Sequence, residues 1–243
     1  NQTENENESE NESENEDETD NSQDNFNNCN VLKIDIDMKY SFDTKRDKEE
    51  QLEHKYTHEH IKKLVNIYVN ILSKYVDLEP FLDQLDFYLL ERKCGYIKTK
   101  DNSKSVKDGL HISVPGFLFD NVILHKVRQE VIEDPEFVEL FEDIGQQNDI
   151  YEFLDESVIS KNAWFMYGSG KAFTDPYLVT KIYKHKASKS SKSKKTTDNK
   201  HKIKYSSMKT EEASKIIEDK KGLVYKLTLN CAKKKINPID TSI

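Results

Sequence analysis

Cysteine is scarce in this 243-residue chain: Cys29, Cys94 and Cys231 stand far apart, and none belongs to a C-x-x-C pair. That excludes a disulfide framework and a cysteine-rich zinc module, and it fits a reducing compartment. No run approaches the roughly 18 consecutive apolar residues of a membrane span. The polar opening does not read as a secretory signal, so the expectation is a soluble, intracellular protein with no membrane partner. The first thirty residues lack Lys and Arg altogether while holding 11 of the 45 acids. Beyond them the chain carries 34 acids against 37 bases, so the formal net charge of -8 belongs to a tail. The body is mildly basic and suited to approach a polyanion.

That tail, residues 1–30, is a Glu/Asn/Ser repeat with almost no apolar side chain. It cannot bury enough surface to offset the entropy of ordering it and is expected to be disordered. Apolar residues recurring every three or four positions predict a long helix over Lys45–Val76, with His54, His58 and His60 on its charged, solvated part. His54 and His58 have i, i+4 spacing, yet nothing completes an H-E-x-x-H pattern. Residues 81–90 suggest a short helix and 87–98 a strand. Ser103–Asp108 reads as a turn, and 122–133 and 135–143 as helices, the second opened by Pro135. Strands are expected over Trp164–Tyr167 and Tyr177–Tyr183. Residues 184–204 hold nine Lys and one Asp without apolar period, and read as a flexible basic insertion or linker. A helix over Glu211–Asp219, a strand over Leu223–Leu229 and a ragged end complete the pattern.

Chemistry concentrates first in Val31–Tyr40, VLKIDIDMKY, an apolar strand with two acids in alternation. Side chains alternate along a strand, so Asp35 and Asp37 leave one face. Two close carboxylates repel unless a cation lies between them, which points to a divalent metal. In Gly109–Pro115, Leu110, Ile112 and Val114 face one side and leave His111 and Ser113 on the other. Asp155 falls in a further apolar, strand-like run, and a third carboxylate from a distant segment is what a two-metal site needs. An imidazole can hydrogen-bond a triphosphate, and Lys107 and Lys171 offer compact positive charge to phosphate oxygens.

Taken in order, KIDID (Lys33–Asp37), KDGLHISVP (Lys107–Pro115) and FLDESVISKNAWFMYGSGK (Phe153–Lys171) resemble the three motifs of the archaeo-eukaryotic primase superfamily. The branch most similar is the N-terminal primase domain of primase-helicases from poxviruses and other large DNA viruses. This resemblance implies an α+β fold with an α/β unit and an RRM-like unit around one active-site cleft. It implies a catalytic core over 31–183, continued by an α/β segment over 205–243. It also implies Mg²⁺ or Mn²⁺ held by Asp35, Asp37 and Asp155. An incoming nucleoside triphosphate would meet His111, Lys107, Ser169 and Lys171, and the template would be single-stranded DNA. Many relatives place arginines between the Asn and the final Lys of the third motif, whereas Ala163–Met166 here reads A-W-F-M. Relatives also carry an ATP-dependent helicase. No Walker motif is present, since Gly168-Ser169-Gly170-Lys171 runs into Ala172, so a helicase would lie elsewhere in a full-length chain or in a separate one. By the same resemblance the setting is viral DNA replication in the host cytoplasm.

Three functions compete at this level. The first is a primase joining nucleotides by two-metal transfer. The second is an inactive primase-like module that binds nucleic acid and recruits a helicase. The third is a D-x-D phosphatase, disfavoured because Lys39 stands where that pattern wants Thr or Val and because it leaves the His111 block unexplained.

Overall fold

The computed structural model describes residues 28–161, 164, 167–186, 202–227 and 234–239. Its centre is a mixed but largely antiparallel sheet of seven strands. These are β1 (Cys29–Ser41), β2 (Phe87–Glu91), β3 (Tyr96–Lys100), β4 (Ser103–Asp120), β5 (Leu178–His185), β6 (Tyr205–Ser207) and β7 (Lys234–Lys235). The order across the sheet is β1-β4-β2-β5-β6, with β3 and β7 also paired to β4, β7 in parallel. Helices α1 (Lys48–Leu52) and α2 (His58–Leu72) join β1 to β2; α3 (Asn121–Glu133), α4 (Pro135–Leu140), α5 (Ile150–Phe153) and α6 (Ser157–Ser160) follow β4. Then α7 (Thr210–Glu218) and α8 (Lys220–Lys226) follow β6. The fold is therefore α+β, and no described helix is long and apolar enough to cross a membrane.

Strand β4 is the spine. It runs through the expected turn at Ser103–Asp108, because the reversal happens earlier, at Asp101 and Asn102, both with positive φ. Short Asp and Asn side chains tolerate that left-handed backbone, which fits a two-residue hairpin turn between β3 and β4. Further along, Gly116 (φ 92) lies where the β1–β4 register shifts between Asn30 and Leu32. At Gly109 the need for glycine is steric: a Cβ there would sit 2.6 Å from the Ile36 carbonyl oxygen on β1.

The predicted long helix is two helices. Thr57 and His60 form a reciprocal capping box, Thr57 receiving the His60 N–H and His60 Nδ1 receiving the Thr57 N–H. Capping starts α2 afresh after an extended Glu53. From there Ile61, Leu64, Val65, Tyr68, Val69 and Leu72 keep the three- and four-residue spacing and are buried. They join Ile34, Ile36, Leu110 and Ile112 from one sheet face, and Val127, Val131 and Phe137 from α3 and α4, in the principal core. On α2's flank, Asn66 and Asn70, one turn apart, hydrogen-bond the backbone of Tyr205 and Ile203.

The opposite face carries a smaller core of Tyr88, Leu90, Tyr177, Val179 and Ile182, covered by Ala213, Leu223 and Leu227 from α7 and α8. Residues 220–226 are thus a helix where a strand is expected. Asp219 accepts the Gly222 N–H at its start, and Leu223 and Leu227, four apart, both face the sheet. The expected strand over Trp164–Tyr167 lies partly outside the described residues, and neither described end is a strand. Nearly all of the acidic tail and most of the Lys-rich 184–204 stretch also lie outside them; Lys184 and His185 continue β5.

Candidate active site

Asp35 and His111 are cross-strand partners on β1 and β4, and Asp37 lies opposite Gly109. The His111 Nε2 stands 3.4 Å from a carboxylate oxygen of Asp35, with both side chains largely buried. Because Gly109 has no side chain, space is left beside Asp37, whose carboxylate lies 3.4 Å from where a Cβ would be.

Asp155 reaches this strand by another route. It sits between α5 and α6 instead of on a strand, a correction to the expectation from its apolar neighbours. Leu154 forms a β-bridge with Ile36, and the Asp155 N–H donates to the Asp35 carbonyl at 3.0 Å. The segment leading there covers the outer edge of β1. Asn148 donates to the Asp37 carbonyl and accepts from the Lys39 N–H, and Gln147 N–H donates to the Lys39 carbonyl. An edge strand otherwise open to pairing is closed by the segment that delivers the third acid. From behind, the buried guanidinium of Arg128 on α3 donates to the carbonyls of Leu154 (2.6 and 2.9 Å) and Tyr151 (3.0 Å). Both Asp155 oxygens accept from Ser157, one from its N–H and one from its hydroxyl, so Asp155 also caps the turn into α6.

Burial pushes the Asp35 carboxyl well above the usual carboxylate range, and repulsion from Asp37 and Asp155 adds to it; Lys171 and the Trp164 indole oppose the rise. Three acids from two segments therefore feel one another, with Lys171 near enough to matter. Hard oxygen donors of this kind suit Mg²⁺ or Mn²⁺, and a cation would relieve the repulsion. Among the described residues, no group of three His, Cys, Asp or Glu side chains is arranged to hold a metal ion as it stands.

Aromatic stacking holds the imidazole. Tyr177 lies 3.8 Å from the His111 ring centroid and nearly parallel, and Trp164 lies 4.7 Å away. Beyond Tyr177 the buried Arg92 guanidinium lies 4.8 Å from that ring and 4.9 Å from Tyr96, extending the stack toward β3. Each such contact contributes on the order of 0.5–1.5 kcal/mol beyond area burial, so His111 is held in one orientation.

The remaining expected residues are less tightly gathered. Lys171 follows a turn at Gly168 (φ 79) that is closed by Gly168 N–H to the Tyr177 carbonyl and Tyr177 N–H to the Ser169 carbonyl. Ser169 thus lies beside the stack by its backbone. Lys107 shares the His111 face but is four residues away, about 13 Å along the strand, opposite Lys39.

Several residues here gave no sequence signal. Arg92 and Arg128 look like ordinary surface bases until β2 and α3 are placed. The half-buried Lys33, two residues before Asp35, shares its face and is lowered by burial. His54 misled: it lies in the break between α1 and α2, Nδ1 2.9 Å from the buried Asp108 carboxylate and Nε2 3.1 Å from the Arg92 carbonyl. Both partners are acceptors, which favours the doubly protonated ring, and the His54 pKa is raised: burial lowers it, but Asp108 outweighs burial.

An antiparallel sheet that offers a D-x-D strand and a histidine strand side by side, with one more acid from the next segment, is the frame of an archaeo-eukaryotic primase domain. The chain belongs to that superfamily, because the family model for the C962R protein N-terminal AEP domain (AEP being archaeo-eukaryotic primase) matches residues 13–183. It is also 28% identical over 129 residues to a protein of Acanthamoeba polyphaga mimivirus, "Putative helicase L207/L206". The match covers 53% of this chain and 13% of that protein.

Proposed function

We propose that this domain is a DNA primase that joins nucleotides on a single-stranded DNA template by metal-assisted nucleotidyl transfer. What supports the reading most is that Asp35 and Asp37 leave one face of β1, that the Asp155 N–H bonds the Asp35 carbonyl, and that His111 lies 3.4 Å from Asp35. In this reading the three acids hold Mg²⁺ or Mn²⁺, which when bound lower the pKa of an attacking hydroxyl and offset charge on departing pyrophosphate. The 3′-oxygen bonds to the α-phosphorus as its proton leaves, and the bond to the β,γ-diphosphate breaks. His111, fixed by Tyr177 and Trp164, donates to a triphosphate oxygen. Lys171 and Ser169, with Lys107 further along the face, line the path of the triphosphate. Much of the catalytic gain comes from position, since two nucleotides must be aligned without an existing primer.

The finer architecture follows the same reading: a core over 31–183 with an α/β unit and an RRM-like unit flanking one cleft, and 205–243 as its continuation. A helicase-named relative of which the match spans 13% suggests that an ATP-dependent helicase is the working partner, in the same polypeptide or a separate one, during viral DNA replication in the host cytoplasm. A second reading, an inactive primase-like module that binds nucleic acid and recruits a helicase, draws on the engagement of both Asp155 oxygens by Ser157. The D-x-D phosphatase has no support from the family.

One assay separates the two. Labelled nucleotide is supplied with a single-stranded template across a Mn²⁺ titration, for the native protein and for Asp35→Ala and Asp37→Ala. Metal-dependent incorporation lost in both variants, with the fold intact by circular dichroism, is the expected result. Template binding without incorporation at any metal concentration would establish the inactive module instead.

A further inference from the structure

Phe173 is held in a way that both local energies oppose. Its φ of 65° lies in the left-handed region that disfavours side chains with a Cβ, and its ring is fully exposed, burying nothing. Strain kept at an exposed position is a pointer to function. Phe173 lines a cavity of about 850 Å³ between β3 and residues 171–175, whose walls also include Lys48, Lys98, Lys171, Tyr96 and Asp175. Three lysines face one acid there, so the groove complements a polyanion.

The groove also adjoins the candidate active site. Lys171 lines the cavity and acts on Asp35. Tyr96 lines it as well and is the outer member of the stack that runs through Arg92 and Tyr177 to His111. Positive charge for a backbone beside a bare aromatic face is the pairing that single-stranded nucleic acids use, because only an unpaired base presents its π-face to a ring. We propose that this groove is the seat of single-stranded DNA entering the active site, with Phe173 as a stacking platform for an unpaired base and Lys48 and Lys98 as phosphate contacts. The inference rests on the primase reading for the identity of the strand, and it adds where that strand lies and which residues grip it.

Its test needs no catalysis. Anisotropy of a dye-labelled oligothymidylate is followed with the full chain in EDTA, without nucleotide. Phe173→Gly relieves the left-handed backbone and keeps the turn, so the expected outcome is unchanged or higher thermal stability together with about five- to hundredfold weaker binding. Phe173→Trp retains affinity. Lys48→Ala and Lys98→Ala each flatten the dependence of log affinity on log salt, by about one phosphate contact apiece. Unchanged strand affinity in Phe173→Gly overturns the proposal, as does a loss confined to free nucleoside triphosphate or to duplex DNA. A protein that binds through these residues yet never incorporates nucleotide leaves the groove standing and removes the primase reading. One that incorporates while Phe173→Gly, Lys48→Ala and Lys98→Ala all bind normally does the reverse.

Discussion

The two faces of the central sheet solve opposite problems. On one, Ile34, Ile36, Leu110 and Ile112 pack against α2, α3 and α4, and the face is apolar except near the strand ends. Even there the buried acids are answered: Asp108 by His54, and Glu91 by the hydroxyls of Tyr56 and Thr180. On the other, beside the smaller core under α7 and α8, Asp35 and Asp37 leave β1 as neighbours, Asp35 lies 3.4 Å from His111, and the carboxylates repel one another. One face is built for stability, and the other gives up stability to concentrate negative charge. A residue's face therefore forecasts what its loss will do.

The largest contrast comes from the acids. Asp35→Asn is expected to reduce primer synthesis by at least about 10³-fold, matching several kcal/mol of transition-state stabilisation. Without metal the same substitution removes a buried carboxyl whose ionisation its surroundings oppose, so the melting temperature should rise while the stabilisation given by added Mn²⁺ disappears. A lower melting temperature in EDTA would contradict the account of this face. On the core face, Leu64→Ala should cost about 2–5 kcal/mol in denaturant unfolding and reduce activity only as far as folded protein is lost.

Arg128 tests the link between the faces, since its side chain reaches from the core helix α3 to the segment holding the third acid. Arg128→Met removes three carbonyl contacts, with an expected loss of about 1–3 kcal/mol. A structural role alone stops there. Positioning of Asp155 predicts in addition a higher Mn²⁺ requirement in the protein that remains folded, readable as a shifted half-saturating concentration.

The smallest effect is a pH dependence. His54 has a raised pKa in the folded chain, so its contribution is fully present below the ordinary histidine value of 6.5 and is lost as pH rises through the folded value. Urea midpoints should drift downward across that window, and the drift should vanish in His54→Gln. A midpoint rising over the same range would mean that the Asp108 pairing is not formed.

Much of this was legible in the chain. Alternation placed Asp35 and Asp37 together and put His111 apart from Leu110 and Ile112, because a half-buried strand writes its two faces into every second residue. The helix at α3 was equally plain. Failures came where pairing over long distances decides. The break before α2 depends on a histidine at the third helical position of a capping box, where Glu or Gln is the usual signal. The strand expected after Leu223 is a helix because two leucines meet a sheet face that periodicity over seven residues cannot reveal. Asp155 reads as a strand residue since its neighbours are apolar, yet Phe153 and Val158 are buried from one-turn helices and Leu154 makes a single bridge to β1. Arg128 acts through the carbonyls of Tyr151 and Leu154, and Arg92 through the ring of Tyr177, all more than twenty residues away in sequence, which no local pattern records.

The asparagine pair on α2 has an effect on how this chain can change. Asn66 and Asn70 clasp the backbone at Tyr205 and Ile203, and the Lys186 N–H bonds the Lys204 carbonyl at 2.8 Å. The end of β5 and the start of β6 are therefore fastened at one place. Either asparagine can change only at the expense of that fastening, since each gives one backbone residue both a donor and an acceptor.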